Sequence, residues 1–97
     1  MKRLILKNKK SKKSAPKVIF FVYILKCSDE TLYVGSTNNL EKRLHQHNYL
    51  KSGAHYTKIR RPVTLVHQEK LPTYAQARSR EAALKRLTRK KKLELLK

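Results

Sequence analysis

Residues 18–26, VIFFVYILK, form an unbroken β-branched and aromatic run. That is the pattern of a strand covered on both faces, and so of a central one. CSDE at 27–30 has turn chemistry, and TLYVGS at 31–36 makes a second strand that ends at a glycine. Two such runs around a short polar segment predict a hairpin. A loop of Cys27 to Asp29 sets Lys26 opposite Glu30, a favourable pair of charges, and Tyr23 directly across from Tyr33. Any odd loop centred on Ser28 keeps this register, whereas a slip of one residue would send the two tyrosines to opposite faces.

A helix follows, with Asn38 expected as N-cap and Glu41 three residues on. Leu40, Leu44 and His47 have the spacing of a buried stripe, and Arg43 and His47, four apart, share a face. Residues 48–61, NYLKSGAHYTKIRR, read as a basic loop, and Pro62 opens a third strand, VTLVHQEK at 63–70. Thr73 and Gln76 make a capping box for a second helix, with Ala77, Glu81 and Leu84 along one side. Thr88 interrupts this helix and caps a last basic segment, residues 89–96. The order β-β-α-β-α, with a short C-terminal helix, predicts an α+β fold: a small three-stranded antiparallel sheet flanked by helices.

A length of 97 residues suits one domain, and the single Cys27 leaves no internal disulfide and no Cys-rich metal site. No apolar run approaches the roughly 20 residues that span a bilayer, and Leu4 to Leu6 is too short for a secretory core. A cytoplasmic protein is expected. Charge changes the picture most. Twenty-five Lys and Arg against six Asp and Glu give +19, which points to a polyanionic partner, nucleic acid before membrane. Residues 1–17 carry eight of the basic side chains and no acid, the composition of a flexible basic arm. Residues 18–97 then form the domain, still basic in its own right.

Within that domain the chemistry concentrates on few residues. Tyr23, Tyr33, Arg43 and His47 are each ordinary alone, but hairpin and helix make them converge. Together they suit phosphate: an arginine for bidentate contact, a tyrosine able to act as base where cations lower its pKa, and an imidazole to hold or shuttle a proton. Glu81 falls on the inward side of its helix, where a carboxylate demands a partner. Arg78 and Lys85, at i−3 and i+4, are the ordinary helix partners, and a hard divalent cation or Arg43 can also serve. A single Mg²⁺, or Mn²⁺, held mostly by water and substrate phosphate is the expected ion, and on Glu81 it would stabilise a departing oxyanion.

FVY at 21–23, YVG at 33–35 and STNNLEKRLHQH at 36–47 resemble the GIY-YIG nuclease domain. GAHYTKIRRP at 53–62 and REAALKRLTR at 80–89 resemble its small stand-alone bacterial branch. The likeness covers roughly residues 18–90, with Phe21 and Val22 replacing the first motif's Gly and Ile, and no Asn between Thr88 and Lys92. It implies a three-stranded antiparallel sheet with helices and one divalent metal. It also implies catalytic roles for Tyr23, Tyr33, Arg43 and His47, a metal-binding Glu81, and a further polar pair at His55 and Tyr56. Lys42, Lys58, Arg60, Arg61, Arg78 and Lys85 are the expected nucleic-acid contacts. The resulting expectation is a metal-dependent endonuclease of DNA, RNA remaining open, with weak sequence selectivity and a role in repair or recombination. The competing expectation is a non-cleaving nucleic-acid-binding module, an accessory subunit whose protein partner chooses the substrate.

Overall fold

A computed structural model describes residues 19–96. The basic arm expected at 1–17, and the start of the first strand at Val18, lie outside them. The elements are β1 (Phe20–Lys26), β2 (Leu32–Thr37), α1 (Leu40–Tyr49), α2 (His55–Lys58), β3 (Thr64–Leu71), α3 (Tyr74–Arg86) and α4 (Arg89–Glu94). The strands form one antiparallel sheet in the order β2-β1-β3. The α+β arrangement expected from the sequence, with its short last helix, is what the chain adopts.

β1 is central because its side chains are apolar on both faces. Val22 and Ile24 join Val34, Ala77 and Leu84 in a core beneath α3. Tyr23 and Leu25 join Cys27 and Val63 in a second core, against which Tyr33, Leu40, Leu44 and Leu65 pack. The period of two in the strand thus sends alternate residues to two helices on opposite sides of the sheet.

The hairpin register differs from the expected one by two residues. Lys26 pairs with Leu32, Leu25 with Tyr33, and Tyr23 with Gly35. The loop is longer, Cys27 to Thr31, because Asp29 accepts from the Thr31 amide at 3.1 Å and its hydroxyl at 2.6 Å, Cys27 N–H donates to the Thr31 carbonyl at 2.9 Å, and Glu30 turns the chain at φ 70°. The loop remains odd, so both tyrosines still face α1, as diagonal neighbours rather than a directly opposed pair. Lys26 and Glu30 do meet, at 3.5 Å, but within the turn and exposed, where such a pair adds little.

The helix cap also moves by one. β2 runs on to Thr37, and Asn39 rather than Asn38 accepts from the Lys42 amide, at 3.1 Å. Glu41 still sits in the first turn, favourably placed on the helix dipole. Thr73 and Thr88 cap α3 and α4 as their spacing predicted.

Residues 48–61 are more ordered than a basic loop, since they contain α2, four residues long and too short to show a period. Asn48 pins the segment to β3, donating to the Val63 carbonyl at 3.1 Å and accepting from its amide at 2.7 Å. Arg61 turns inward and donates to the His47, Gln46 and Leu50 carbonyls, at 2.6, 3.1 and 2.6 Å. A cation on these last-turn carbonyls closes the C-terminal end of α1. Gly53 lies so close that a Cβ there would overlap the Gln46 carbonyl and come within 3.0 Å of the His47 Cα. Gly53→Ala should therefore cost about 1–3 kcal/mol, the range of an overpacked site, read as a lower urea midpoint. An unchanged midpoint would mean that the loop does not press on α1.

Candidate functional site

Tyr23 rises from the central strand with 1 % of its surface exposed, and His47 comes down from α1 fully buried. The Tyr23 hydroxyl lies 2.7 Å from His47 Nε2. On the other side of the ring, Nδ1 lies 2.7 Å from the Thr57 hydroxyl, which donates to the Ala54 carbonyl at 2.9 Å. Tyr33 sets its ring edge-on to His47, with centroids 5.1 Å apart, and stacks on Tyr56 at 5.8 Å. The Arg60 guanidinium lies over the Tyr56 ring, 3.9 Å from its centroid.

Gly35 is explained by its place opposite Tyr23. A Cβ there would fall 2.5 Å from the Tyr23 hydroxyl oxygen and 3.1 Å from the Tyr33 ring. Tyr23 is buried and hydrogen-bonded, so it cannot move aside. Only hydrogen fits beneath it, which accounts for the glycine that ends the YVG run.

Arg43 sits one turn before His47 and donates to the Gln46 side chain at 2.8 Å and to the Ser52 carbonyl at 2.9 Å. Beside it, at the N-terminus of α1, opens a polar hollow of about 200 Å³ lined by Thr37, Asn38, Asn39, Lys42, Arg43 and Gln46. A lysine and an arginine suit that hollow to an anion.

The electrostatics separate the protonation states of the pair. Burial, then the neighbouring Tyr33, push Tyr23 up to about 12 against the pull of Arg43. Burial, then the cations Arg43 and Arg61, push His47 down to about 4. Both groups are neutral at pH 7, a tyrosine with its proton and an imidazole with a free lone pair.

Glu81 reaches the sheet from the opposite side. It is 8 % exposed, accepts from the Ser36 hydroxyl at 2.6 Å, and pairs with Lys85 at 2.8 Å and Arg78 at 3.8 Å. Its partners are thus Ser36 together with Arg78 and Lys85, the helix neighbours that the i−3 and i+4 spacing offered, rather than Arg43. Burial acts to raise its pKa, but the hydrogen bonds from Lys85 and Ser36 and the charges of Lys85 and Arg78 outweigh that and lower it. Among the described residues no group of three or more His, Cys, Asp or Glu side chains converges, which fits neither a zinc nor a calcium cage. One ionised carboxylate does fit an ion that keeps most of its waters. Lys85 holds the second oxygen now, but its side chain is 55 % exposed and free to swing off.

Gly35 and Ser36, on the edge strand β2, therefore separate two half-sites: the tyrosines, His47 and Arg43 on the α1 side, and Glu81 with Lys85 and Arg78 on the α3 side. Of the other expected contacts, Lys42 lines the hollow and His55 opens α2. Lys58 donates to the Lys51 carbonyl, Arg60 binds Asp29 and Tyr56, and Arg61 is committed to the end of α1. Thr57 and Ser36 escaped the sequence reading. A hydroxyl in a basic loop and another after a glycine carry no period, and their partners lie 10 and 45 residues away.

The buried histidine carries a pH dependence. An unfolded histidine takes its proton near 6.5, whereas folded His47 resists until about 4. Acid therefore favours the unfolded chain across that window. The stability from this group is complete above pH 6.5, falls as pH drops, and levels off below about 4. Glu69 and Glu81, held below 4.5, stay ionised through its upper half. The urea midpoint should fall between pH 7 and pH 5 while the His47 ring resonances remain those of neutral imidazole. A His47 ring that is cationic in the folded protein at pH 5 would contradict this.

Comparison with known proteins agrees with this geometry. The model of the GIY-YIG catalytic domain matches residues 19–94. The chain is similar to a UPF0213 protein of Syntrophus aciditrophicus, 54 % identical over 77 residues that cover 79 % of this chain and 88 % of the relative. It is likewise similar to one of Clostridium perfringens, 54 % identical over 76 residues covering 78 % and 81 %. The solution NMR structure of a UPF0213 protein from Bacillus halodurans superposes with a TM-score of 0.53 at 36 % identity, covering 80 % of this chain and 82 % of that one. An E. faecalis protein, also solved by NMR, gives 0.55 at 40 % identity over 79 % and 82 %. With its catalytic-domain match running from the first strand to the last helix, and the tyrosines and glycine of that domain's motifs assembled as described, the chain belongs to the GIY-YIG family, in its small stand-alone UPF0213 bacterial branch.

Proposed function

We propose that the protein is a divalent-metal-dependent endonuclease that hydrolyses DNA phosphodiester bonds with weak sequence selectivity, working in the cytoplasm in repair or recombination. The observation that carries this reading is the pair of half-sites meeting at Gly35 and Ser36: a neutral Tyr23–His47 pair on one side of an edge strand and an ionised, nearly buried Glu81 on the other. Arg43 and Lys42 line the hollow that suits a phosphate, Arg43 making the directional contact. Tyr23 and Tyr33 are the candidate bases for an attacking water, and His47 Nε2 stands ready to take the Tyr23 proton. Glu81 would hold the ion, most simply Mg²⁺ with Mn²⁺ as substitute. When bound, the ion supplies charge for the departing oxyanion. Lys58, Arg60, Arg78 and Lys85 steer the backbone, with His55 and Tyr56 at the rim. Contacts of this kind read phosphate rather than sequence.

A second reading keeps the fold without the chemistry. It rests on Lys85, whose ammonium already neutralises Glu81. A protein of that kind would grip DNA or RNA as an accessory subunit, and a partner would choose the substrate.

Labelled branched, single-stranded and duplex DNA, with RNA controls, incubated with Mg²⁺ or Mn²⁺ decides between the two. Wild type should cut DNA, and Arg43→Ala should slow cutting by about 10²-fold or more, the scale on which removing one transition-state hydrogen-bond donor acts, while Glu81→Ala, which removes the ion's ligand, should slow it at least as much. Binding without cutting by the wild type, or variants as fast as it is, would favour the accessory module. Removing residues 1–17 with their eight basic side chains should weaken binding and flatten its salt dependence, by about 0.9 in log–log slope for each duplex phosphate that the arm neutralises. An unchanged slope would remove the arm from the interface.

A further inference from the structure

The hydrogen bonds around His47 have one consistent direction. The Ala54 carbonyl can only accept, so the Thr57 hydroxyl, 2.9 Å away, places its one proton there. Thr57 then presents a lone pair to His47 Nδ1 at 2.7 Å, and Nδ1 must carry the ring proton. A neutral imidazole has one N–H. Nε2 is therefore bare, and it accepts from the Tyr23 hydroxyl at 2.7 Å. A free histidine side chain prefers the opposite tautomer, with its proton on Nε2. His47 and Thr57 are both fully buried, so water is not at hand to replace Thr57 as acceptor.

We infer that Thr57 is a positioning residue: it locks His47 in the Nδ1–H tautomer and thereby makes Tyr23 a committed hydrogen-bond donor. The role rests on reading Tyr23 and His47 as the working pair of the active site, and the same logic applies wherever the hydrogen bond at one ring nitrogen sets the state of the other. The direction of the chain matters to chemistry. With Nε2 bare, Tyr23 passes its proton to His47 as its oxygen takes one from a bound water. With Nε2 protonated, His47 would donate to Tyr23, and that transfer would have nowhere to go. α2 brings Thr57 to this place: it is four residues long, follows Gly53 in close contact with α1, and ends shortly before the Arg61 that closes the same helix.

Long-range ¹H–¹⁵N correlation of the His47 ring tests this at neutral pH, with neither DNA nor metal present. Wild type and Thr57→Ser should both show a protonated Nδ1 and a bare Nε2, and Thr57→Val should shift toward Nε2–H. In cleavage assays with Mg²⁺, Thr57→Val should lower kcat by about 10–100-fold with KM within about twofold, and Thr57→Ser should restore it. A wild-type ring carrying its proton on Nε2, or a folded Thr57→Val that keeps Nδ1–H, would overturn the inference. If Thr57→Val fails to fold, the wild-type and Thr57→Ser rings still decide. A wild type that shows the expected ring yet cuts no DNA would overturn the nuclease reading and uphold the tautomer lock.

Discussion

The 2.7 Å hydrogen bond between Tyr23 and His47 is the constraint around which the α1 side of the molecule is arranged. It joins the middle of the central strand to the last turns of a helix, through two polar groups that have almost no contact with water. Groups so placed are costly unless every bond is made. The surrounding parts follow from that requirement. Gly35 gives the hydroxyl room, Thr57 supplies the acceptor for the second ring nitrogen, and Gly53 and Arg61 seat the loop that carries Thr57 against the end of α1. Several of these residues lie far apart in the chain, yet each answers to the same buried pair.

Much of this was legible in the sequence. The apolar run of β1 marked a central strand, the spacing of Leu40, Leu44 and His47 marked a buried helix face, and Thr73 and Thr88 marked two helix starts. Parity, rather than exact register, made Tyr23 and Tyr33 share a face. The true loop is two residues longer because Asp29 and Thr31 bond locally, a preference that a cross-strand charge pair was too weak to override. Asn38 and Asn39 are equivalent in composition, and only the length of β2 decides which one caps the helix.

The site was less legible than the fold because charge and polarity do not announce their partners. Arg60 and Arg61 are adjacent in sequence and read alike, but one lies over a tyrosine ring and the other closes a helix. Glu81 was conspicuous as an acid among apolar residues. Its helix partners Arg78 and Lys85 were legible at i−3 and i+4, but Ser36, which completes its surroundings, was not. Ser36 looked only like the end of a strand.

The way Glu81 is satisfied separates metal use from folding. In many small metalloproteins the ligands repel one another or stay disordered until the ion arrives, so binding and folding are one event. Here the carboxylate lies against groups from its own chain, the Ser36 hydroxyl and the Lys85 ammonium, and its charge is balanced before any ion comes. Chelation would leave the architecture standing. An ion that enters this place competes with a lysine rather than with water. Under the proposed reading, occupancy would be a contest between an internal cation and an external one, and metal supply would govern activity without touching the protein's lifetime.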